Sequence, residues 1–149
     1  MKFRSVKSFE FDGHWANDIR AFKLLDNGAH LLYLTSQGVC LFDTRRRDIV
    51  AKVEFKDFAN QWSDFALSPK VKLLAIAGSI RCNKDPLDGE YRYENFVRIY
   101  NLETGGVSGE QALPGDRETW WTVDFSVDGR QVRAVSDSST HVFELMVNR

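Results

Sequence analysis

The sequence predicts an all-β fold built from three copies of a four-stranded antiparallel unit. Three short apolar runs each end in an aromatic residue followed by an acid or an amide: Phe42-Asp43, Tyr100-Asn101 and Phe143-Glu144. A matching apolar run precedes each of these dipeptides, and the three runs contain Phe22, Phe65 and Val123. No segment of helix length shows apolar residues at a 3.6-residue spacing, so the pattern favours strands throughout.

The spacing of these marks reveals a repeat of 43 residues. The upstream residue lies 20 residues before the dipeptide in the first and third copies and 35 residues before it in the second. The first and second dipeptides are each followed after 23 residues by the next start. The middle copy therefore carries 15 additional residues, the polar segment 80–94 (IRCNKDPLDGEYRYE), and the repeat keeps its phase on both sides.

Each copy divides into short strands separated by turn-forming residues. In the first copy, Asp26-Asn27-Gly28, a Ser-Gln-Gly turn and a charged turn separate apolar runs at 19–24, 30–35, 39–43 and 49–55. Four short strands in about 43 residues is the pattern of a propeller blade. We therefore expect a single half-propeller domain over residues 1–149, with blades at about 19–55, 62–113 and 121–149.

The third copy is too short to contain its own fourth strand, because five residues follow Glu144. The chain opens instead with an orphan strand at residues 2–11, whose SVKSFEF is similar to the IVAKVEF that ends the first copy. We expect this N-terminal strand to complete the last blade. The alternative is a truncated or engineered propeller fragment with a purely structural role.

Three blades do not close a ring, since propellers have about four to eight. An isolated arc would leave apolar blade faces and a strand edge uncovered. We therefore expect a six-bladed ring formed by head-to-tail homodimerisation, or a ring completed by a complementary propeller chain.

The chain resembles the WD-repeat family of β-propellers. The segments FSVDG at 125–129 and LSPK at 67–70 are similar to the FSPDG turn of that family, and the three aromatic dipeptides fall where the family has Trp-Asp. Gly13-His14 resembles its Gly-His pair, whereas true Trp-Asp dipeptides are absent. The resemblance implies a propeller scaffold and does not specify a function.

In the resembled family, loops between second and third strands share a face with the loops that join blades. Here that face would carry the insertion and the joining loops at 12–18, 56–61 and 115–119. Aromatic and arginine side chains on rigid loops are typical of protein-binding hot spots. We therefore expect a protein or peptide to bind through His14, Trp15, Arg81, Tyr91, Arg92, Tyr93, Arg117, Trp120 and Trp121.

The alternative interpretation of these aromatic residues is packing. It applies most directly to Trp62 and Trp120, which align with Ile19 in the repeat and would wedge between blades.

The carboxylates of the insertion are interpreted as solvated groups on a flexible segment.

The sequence contains no P-loop, GxGxxG, GxSxG or HExxH motif, and its three histidines have no metal-ligand spacing. We expect no enzyme activity, no cofactor and no metal. A second hypothesis is an enzyme or small-ligand binder at the mouth of a central channel, using Asp18, Asp64 and Asp124.

The charge balance gives no electrostatic footprint for nucleic acid or for a membrane surface, because the net charge is −1. The one basic run, Arg45-Arg46-Arg47, is expected to lie in a solvated turn. No signal peptide and no apolar run of membrane-spanning length is found, so we expect a cytoplasmic protein. Cys40 and Cys82 are expected to be thiols in a reducing compartment, with a disulfide as the alternative.

Overall fold

Eleven strands form three antiparallel sheets in the part of the chain that the computed structural model describes, residues 19–55, 61–70 and 72–146, without the side chains of Gln61 and Trp62. The first sheet contains β1 (Ile19–Leu25), β2 (His30–Thr35), β3 (Gly38–Asp43) and β4 (Asp48–Glu54). The second contains β5 (Gln61–Leu67), β6 (Leu73–Lys84), β7 (Tyr91–Asn101) and β8 (Val107–Ala112). The third contains β9 (Thr122–Phe125), β10 (Gln131–Val135) and β11 (Thr140–Glu144). Within each sheet the strands lie in chain order.

The repeat predicted by counting is also the repeat of the strand pairing. The equivalent residue pairs of the first two strands are Phe22–Tyr33, Phe65–Ile76 and Val123–Ala134. The first and second pairs are 43 residues apart, and the second and third are 58 apart, which is the repeat plus the 15 inserted residues. A bulge also recurs at the equivalent place in β1 and β5.

The acid or amide that ends the third strand closes the turn that follows it. Asp43 Oδ1 accepts hydrogen bonds from the backbone N–H groups of Arg45 and Arg46 at 2.8 and 2.9 Å. Asn101 Oδ1 accepts the two equivalent bonds at 2.8 and 3.2 Å. The bond from Arg46 is the main reason that the pKa of Asp43 is lowered. In the first two copies this position therefore carries a short side chain with an oxygen acceptor, whereas the third copy has the longer Glu144 there. The basic run lies in the same turn and is exposed, as predicted.

The chain divides inside β4 into two compact units, residues up to Val50 and residues from Ala51 onward, and each is described by itself. The first unit has a core cluster on one face of its sheet, formed by Leu31, Tyr33, Cys40 and Phe42. The edge strand β1 continues this face with Phe22 and Leu24, which are 64% and 62% exposed. The first sheet thus presents an apolar face that extends to its exposed edge.

In the second unit the second and third sheets pack together through a core of small and branched side chains. The second sheet contributes Ala66, Ala75, Ala77, Val97 and Ile99, and the third contributes Val123, Val132 and Ala134. Leu113 and Trp121, from the segment between the two sheets, are buried in the same cluster. The alanines allow the two sheets to approach closely, and the burial of apolar area stabilises the pair.

A hydrogen bond joins the inner strands of these two sheets. The backbone N–H of Val123 donates to Asp64 Oδ2 at 2.9 Å, and Asp64 is half-buried. The second acid assigned to a channel mouth, Asp124, forms an ion pair with Arg133 at 2.5 Å. The third, Asp18, lies outside the described residues. Asp64 and Asp124 therefore have structural partners in the described part of the chain.

The third sheet has three strands in the described ranges, and the predicted N-terminal strand at residues 2–11 lies outside them. Its pairing with the last blade stays a prediction. Beside β11, a groove of about 560 Å³ lies between the second and third sheets. Its apolar lining includes Leu73, Val97, Phe143 and Met146, the last of which is 88% exposed.

Replacing Asp64 by alanine removes the acceptor of the Val123 N–H. We expect Asp64→Ala to lower the free energy of unfolding by about 1–3 kcal/mol, because the N–H of the buried residue Val123 loses its charged partner. Asp64→Asn keeps an oxygen acceptor and should cost less. Urea unfolding measures both, and Glu103→Gln, an exposed carboxylate change, should stay within about 0.5 kcal/mol of the wild type. An unchanged unfolding midpoint in Asp64→Ala would contradict the structural role of this bond.

Candidate functional site

The inserted segment is a two-stranded extension of the second sheet. β6 and β7 continue their pairing beyond the common length of the second and third strands, through the pairs Ile80–Glu94, Arg81–Tyr93 and Lys84–Tyr91. The register shifts once, between the second and third of these pairs. Residues 80–94 are called the insertion hairpin from here on. Tyr91, Arg92 and Tyr93 are the first three residues of β7.

Arg92 organises the tip of the insertion hairpin. Its guanidinium donates to Asp85 Oδ2 at 2.7 and 3.1 Å and to Asp88 Oδ2 at 2.7 Å, and it lies 3.7 Å from the Asp116 carboxylate. The backbone N–H of Leu87 and the Arg92 side chain lower the pKa of Asp85, and the bond to Asp85 raises the pKa of Arg92. Asp85 is half-buried in its ion pair, which departs from the interpretation of these carboxylates as solvated groups, whereas Asp88 is exposed and agrees with it.

A buried amide at the base of the insertion hairpin holds the loop that connects the second sheet to the third. Asn95 is 2% exposed, and its Nδ2 donates to the carbonyl oxygens of Gly115 and Arg117 at 3.1 and 3.0 Å. Its Oδ1 accepts from Ser79 Oγ at 2.6 Å, and its carbonyl oxygen accepts from the Leu113 N–H at 2.8 Å. Residues 113–121, called the joining loop below, are thus attached to the hairpin base.

Further contacts attach the joining loop to the hairpin strands and tip. The Tyr93 N–H donates to the Asp116 carbonyl oxygen at 2.8 Å. The Arg117 guanidinium pairs with Glu90 and lies 3.9 Å from Asp88. The insertion hairpin and this joining loop therefore form one continuous surface, as the sequence predicted for residues 80–94 and 115–119.

The two tyrosines and the remaining cations of the insertion hairpin lie close together. The Arg81 guanidinium carbon is 4.5 Å from the centre of the Tyr91 ring, and Lys84 Nζ is 5.0 Å from it. Cations at these distances over an aromatic face are attracted by its quadrupole. Tyr91 is 39% exposed, whereas Tyr93 is half-buried. Arg81 and Tyr91 thus form a cation–aromatic group at the hairpin surface.

The two adjacent tryptophans of the joining loop have opposite environments. Trp121 is 1% exposed in the core, edge-on to His141 at 5.8 Å, and its Nε1–H has no acceptor in the described part of the chain. The prediction of Trp121 as a binding residue is therefore wrong, because its ring is part of the core. Trp120 is 70% exposed, which contradicts the packing interpretation of its ring. Two further predicted site residues, His14 and Trp15, lie outside the described residues.

The exposed Trp120 ring borders a shallow cavity of about 470 Å³. The cavity lies between the joining loop and the turn that connects β10 to β11. Its lining consists of Glu118, Thr119, Trp120, Thr122, Val135, Ser136 and Asp137. It is called the Trp120 cavity below.

Sequence analysis did not identify Asn95 or Asp116 as parts of this site. Asn95 carries one signal, a short polar residue at the start of the apolar run FVRIY and at the end of an insertion. Such residues often bond to nearby backbone. Nothing in the spacing of the sequence points to Asp116, which reaches Arg92 only through the fold of the joining loop.

The described ranges contain no group of three His, Cys, Asp or Glu side chains able to hold a metal ion. No helix within them is long and apolar enough to cross a membrane. Cys40 and Cys82 are free thiols, as predicted.

Replacing Asn95 by alanine removes three side-chain hydrogen bonds: the Gly115 carbonyl oxygen loses its Asn95 donor, whereas the Arg117 carbonyl oxygen keeps the Thr119 hydroxyl. We expect Asn95→Ala to lower the free energy of unfolding by about 2–4 kcal/mol. We also expect faster amide hydrogen exchange in residues 113–120, measured by mass spectrometry. Asn83→Ala, the same change at an exposed position of the insertion hairpin, is the matched control and should leave both quantities close to wild type. Equal exchange in the two variants would show that Asn95 does not hold the joining loop.

Comparisons of the sequence with family models and with curated proteins give no match. Solved structures match in fold. A crystal structure described as the eukaryotic initiation factor has a TM-score of 0.52 and 21% identity over 85% of this chain and 29% of its own. The WD40 domain of Neurospora crassa Pan2 has a TM-score of 0.52 and 15% identity over 90% of this chain and 35% of its own. The chain thus spans about a third of the length of these structures, and its sheets have the fold of WD40-type β-propeller blades.

Proposed function

We propose that the chain is a non-catalytic scaffold module that binds a protein or peptide on the surface formed by the insertion hairpin and the joining loop. The observation that carries this proposal is the attachment of the two segments by Asn95 and by the Tyr93–Asp116 backbone bond. A loop surface that is already held in one conformation loses less entropy when it binds a partner. A rigid sheet scaffold that displays loops is a common arrangement for recognition.

The predicted site residues have two different roles in this proposal. Arg92 and Arg117 form ion pairs with carboxylates of the hairpin, and these ion pairs hold the hairpin and the joining loop in place. Tyr91, Arg81 and Trp120 are exposed and are the residues that we propose to contact the partner. Tyr93 supports the joining loop, and His14 and Trp15 remain predicted members of the same face.

The competing hypothesis places catalysis at a channel mouth and uses Asp64 and Asp124 among its acids. Both carboxylates instead have structural partners, so they do not support it. Asp64 accepts the Val123 N–H, and Asp124 is paired with Arg133. The similarity to WD40 domains concerns the fold alone, and this fold hosts many functions. We therefore keep a cytoplasmic binding module without a cofactor as the proposed function.

We further propose that a second copy of the chain completes a six-bladed ring, with the N-terminal strand of residues 2–11 completing a last blade. The support is the apolar face of the first sheet, where Phe22 and Leu24 are largely exposed. On the third sheet, the face opposite the core carries Val142, which is 56% exposed, and the Asp124–Arg133 pair. A complementary propeller chain is the alternative occupant of the apolar face.

Deletion of residues 80–94 tests the binding surface. The deletion joins Ser79 directly to Asn95. These two residues would then connect β6 to β7, as Ser36 and Gln37 connect β2 to β3 in the first sheet. We expect the variant to fold, as judged by circular dichroism, and to lose the partners that the wild type captures from an extract of its source, as quantified by mass spectrometry. Arg45→Ala, an exposed change in the turn after β3, should retain them. Capture that persists after the deletion would refute this site.

Phe22→Asp tests self-association. We expect light scattering to give twice the chain mass for the wild type and the mass of one chain for Phe22→Asp, because a buried carboxylate without a partner opposes the interface. Leu87→Asp places the same charge on an apolar side chain that is 94% exposed at the hairpin tip and should remain dimeric. A wild type with the mass of one chain would exclude ring closure by a second copy.

A further inference from the structure

We propose that the Trp120 cavity binds an arginine side chain of the partner, so that the module recognises a basic peptide. This inference rests on the proposed function and specifies the chemistry of its ligand. It follows from three features of the cavity: an exposed indole on a held backbone, two carboxylates without ion-pair partners among the described residues, and the apolar side chain of Val135.

The backbone at Trp120 is held by its neighbours on both sides along the chain. The next residue, Trp121, is buried in the core and fixes the backbone at that end. The preceding residue, Thr119, has its carbonyl oxygen 3.5 Å from Ser63 Oγ, and its own hydroxyl donates to the Arg117 carbonyl oxygen at 3.2 Å. An exposed aromatic ring on a held backbone is a preorganised binding element.

The carboxylates that line the Trp120 cavity differ from those at the tip of the insertion hairpin. Those of Asp85, Asp88 and Glu90 are each paired with Arg92 or Arg117. Glu118 and Asp137 form no ion pair with any described residue, and both are exposed beside the indole. Among the residues that the structure describes, no lysine or arginine lines the cavity. Its unbalanced charge is therefore negative and favours a cation.

Arginine fits this combination of groups better than the other basic side chains. A planar guanidinium stacks on an indole face and binds carboxylates through a fork of N–H donors, whereas an ammonium is compact and strongly hydrated. The aliphatic part of an arginine side chain would contact the indole and Val135. The insertion hairpin shows the same chemistry within the chain, where the Arg81 guanidinium lies over Tyr91.

The test uses a defined probe, the peptide Ac-Gly-Arg-Arg-Gly-NH2, and protein labelled with ¹⁵N at tryptophan. Trp120→Phe assigns the indole N–H signal of Trp120. We expect the peptide to shift that signal in a saturable manner with a Kd on the order of 1 mM, the range of a single-residue contact. The indole signal of buried Trp121 should stay in place. Raising the salt concentration should weaken binding, because the carboxylates are exposed.

Matched variants and peptides isolate the charge contribution. The double variant Glu118→Gln/Asp137→Asn should weaken binding by about tenfold or more. Glu54→Gln/Glu103→Gln removes two carboxylates that do not line the cavity and should have little effect. Ac-Gly-Gln-Gln-Gly-NH2, a neutral peptide with a planar polar group, should produce no saturable shift.

The possible outcomes separate this inference from the proposed function. If the arginine peptide leaves the Trp120 signal unmoved at about 10 mM, well above the expected Kd, while hairpin-dependent capture persists, the inference is overturned and the function stands. Equal shifts with the neutral peptide would also overturn it, since the cavity would then be an apolar site. Binding of the arginine peptide that requires Glu118 and Asp137 supports it.

Discussion

The surface on the insertion side of this protein depends on one buried amide. Asn95 uses both of its side-chain donors on carbonyl oxygens of the joining loop and its acceptor on Ser79. A satisfied polar group in a low-dielectric interior stabilises one arrangement, and the same group becomes costly when a partner is lost. The position of residues 115–117 of the joining loop therefore follows from a residue that is itself hidden from any partner.

The charged residues of this surface fall into two groups: those that form ion pairs within the surface and those that remain available to a partner. Arg92 and Arg117 are surrounded by carboxylates and hold the hairpin tip to the joining loop. Such exposed pairs contribute little individually, but several sharing two arginines restrict the conformations of a short segment. The groups left at the surface include two aromatic rings: Tyr91 with two cations over its face, and Trp120 in a cavity that is also lined by two acids.

The fold was predictable from the sequence to the extent that it depends on local spacing. Counting between aromatic residues anticipated the equivalence of the Phe22–Tyr33 and Phe65–Ile76 pairs, because strand register follows directly from chain length between turns. The same counting located the insertion. The strand at residues 2–11 and the closure of a ring stay predictions, since they depend on parts of the chain outside the described ranges or on a second molecule.

The site was less predictable because it depends on which way side chains point and on contacts between distant segments. Trp120 and Trp121 are equivalent in composition, and only the phase of the strand that begins at Thr122 places one in the core and the other at the surface. The partners of Arg92 come from a turn seven residues earlier and from the joining loop, so no sequence spacing identifies the Asp116 contact.

The bulge in the insertion hairpin has a consequence for how this surface can vary. Side chains on paired strands alternate between the two faces of the sheet. Of the 15 inserted residues, six form the turn at 85–90, and the other nine cannot all pair across the hairpin, so one strand carries an unmatched residue. The register shift between Arg81 and Lys84 absorbs that residue and returns Lys84 and Tyr91 to opposing positions. Homologous hairpins that differ by two residues on both strands would keep the same face toward a ligand. A change of one residue would turn the tip over unless the bulge were gained or lost with it.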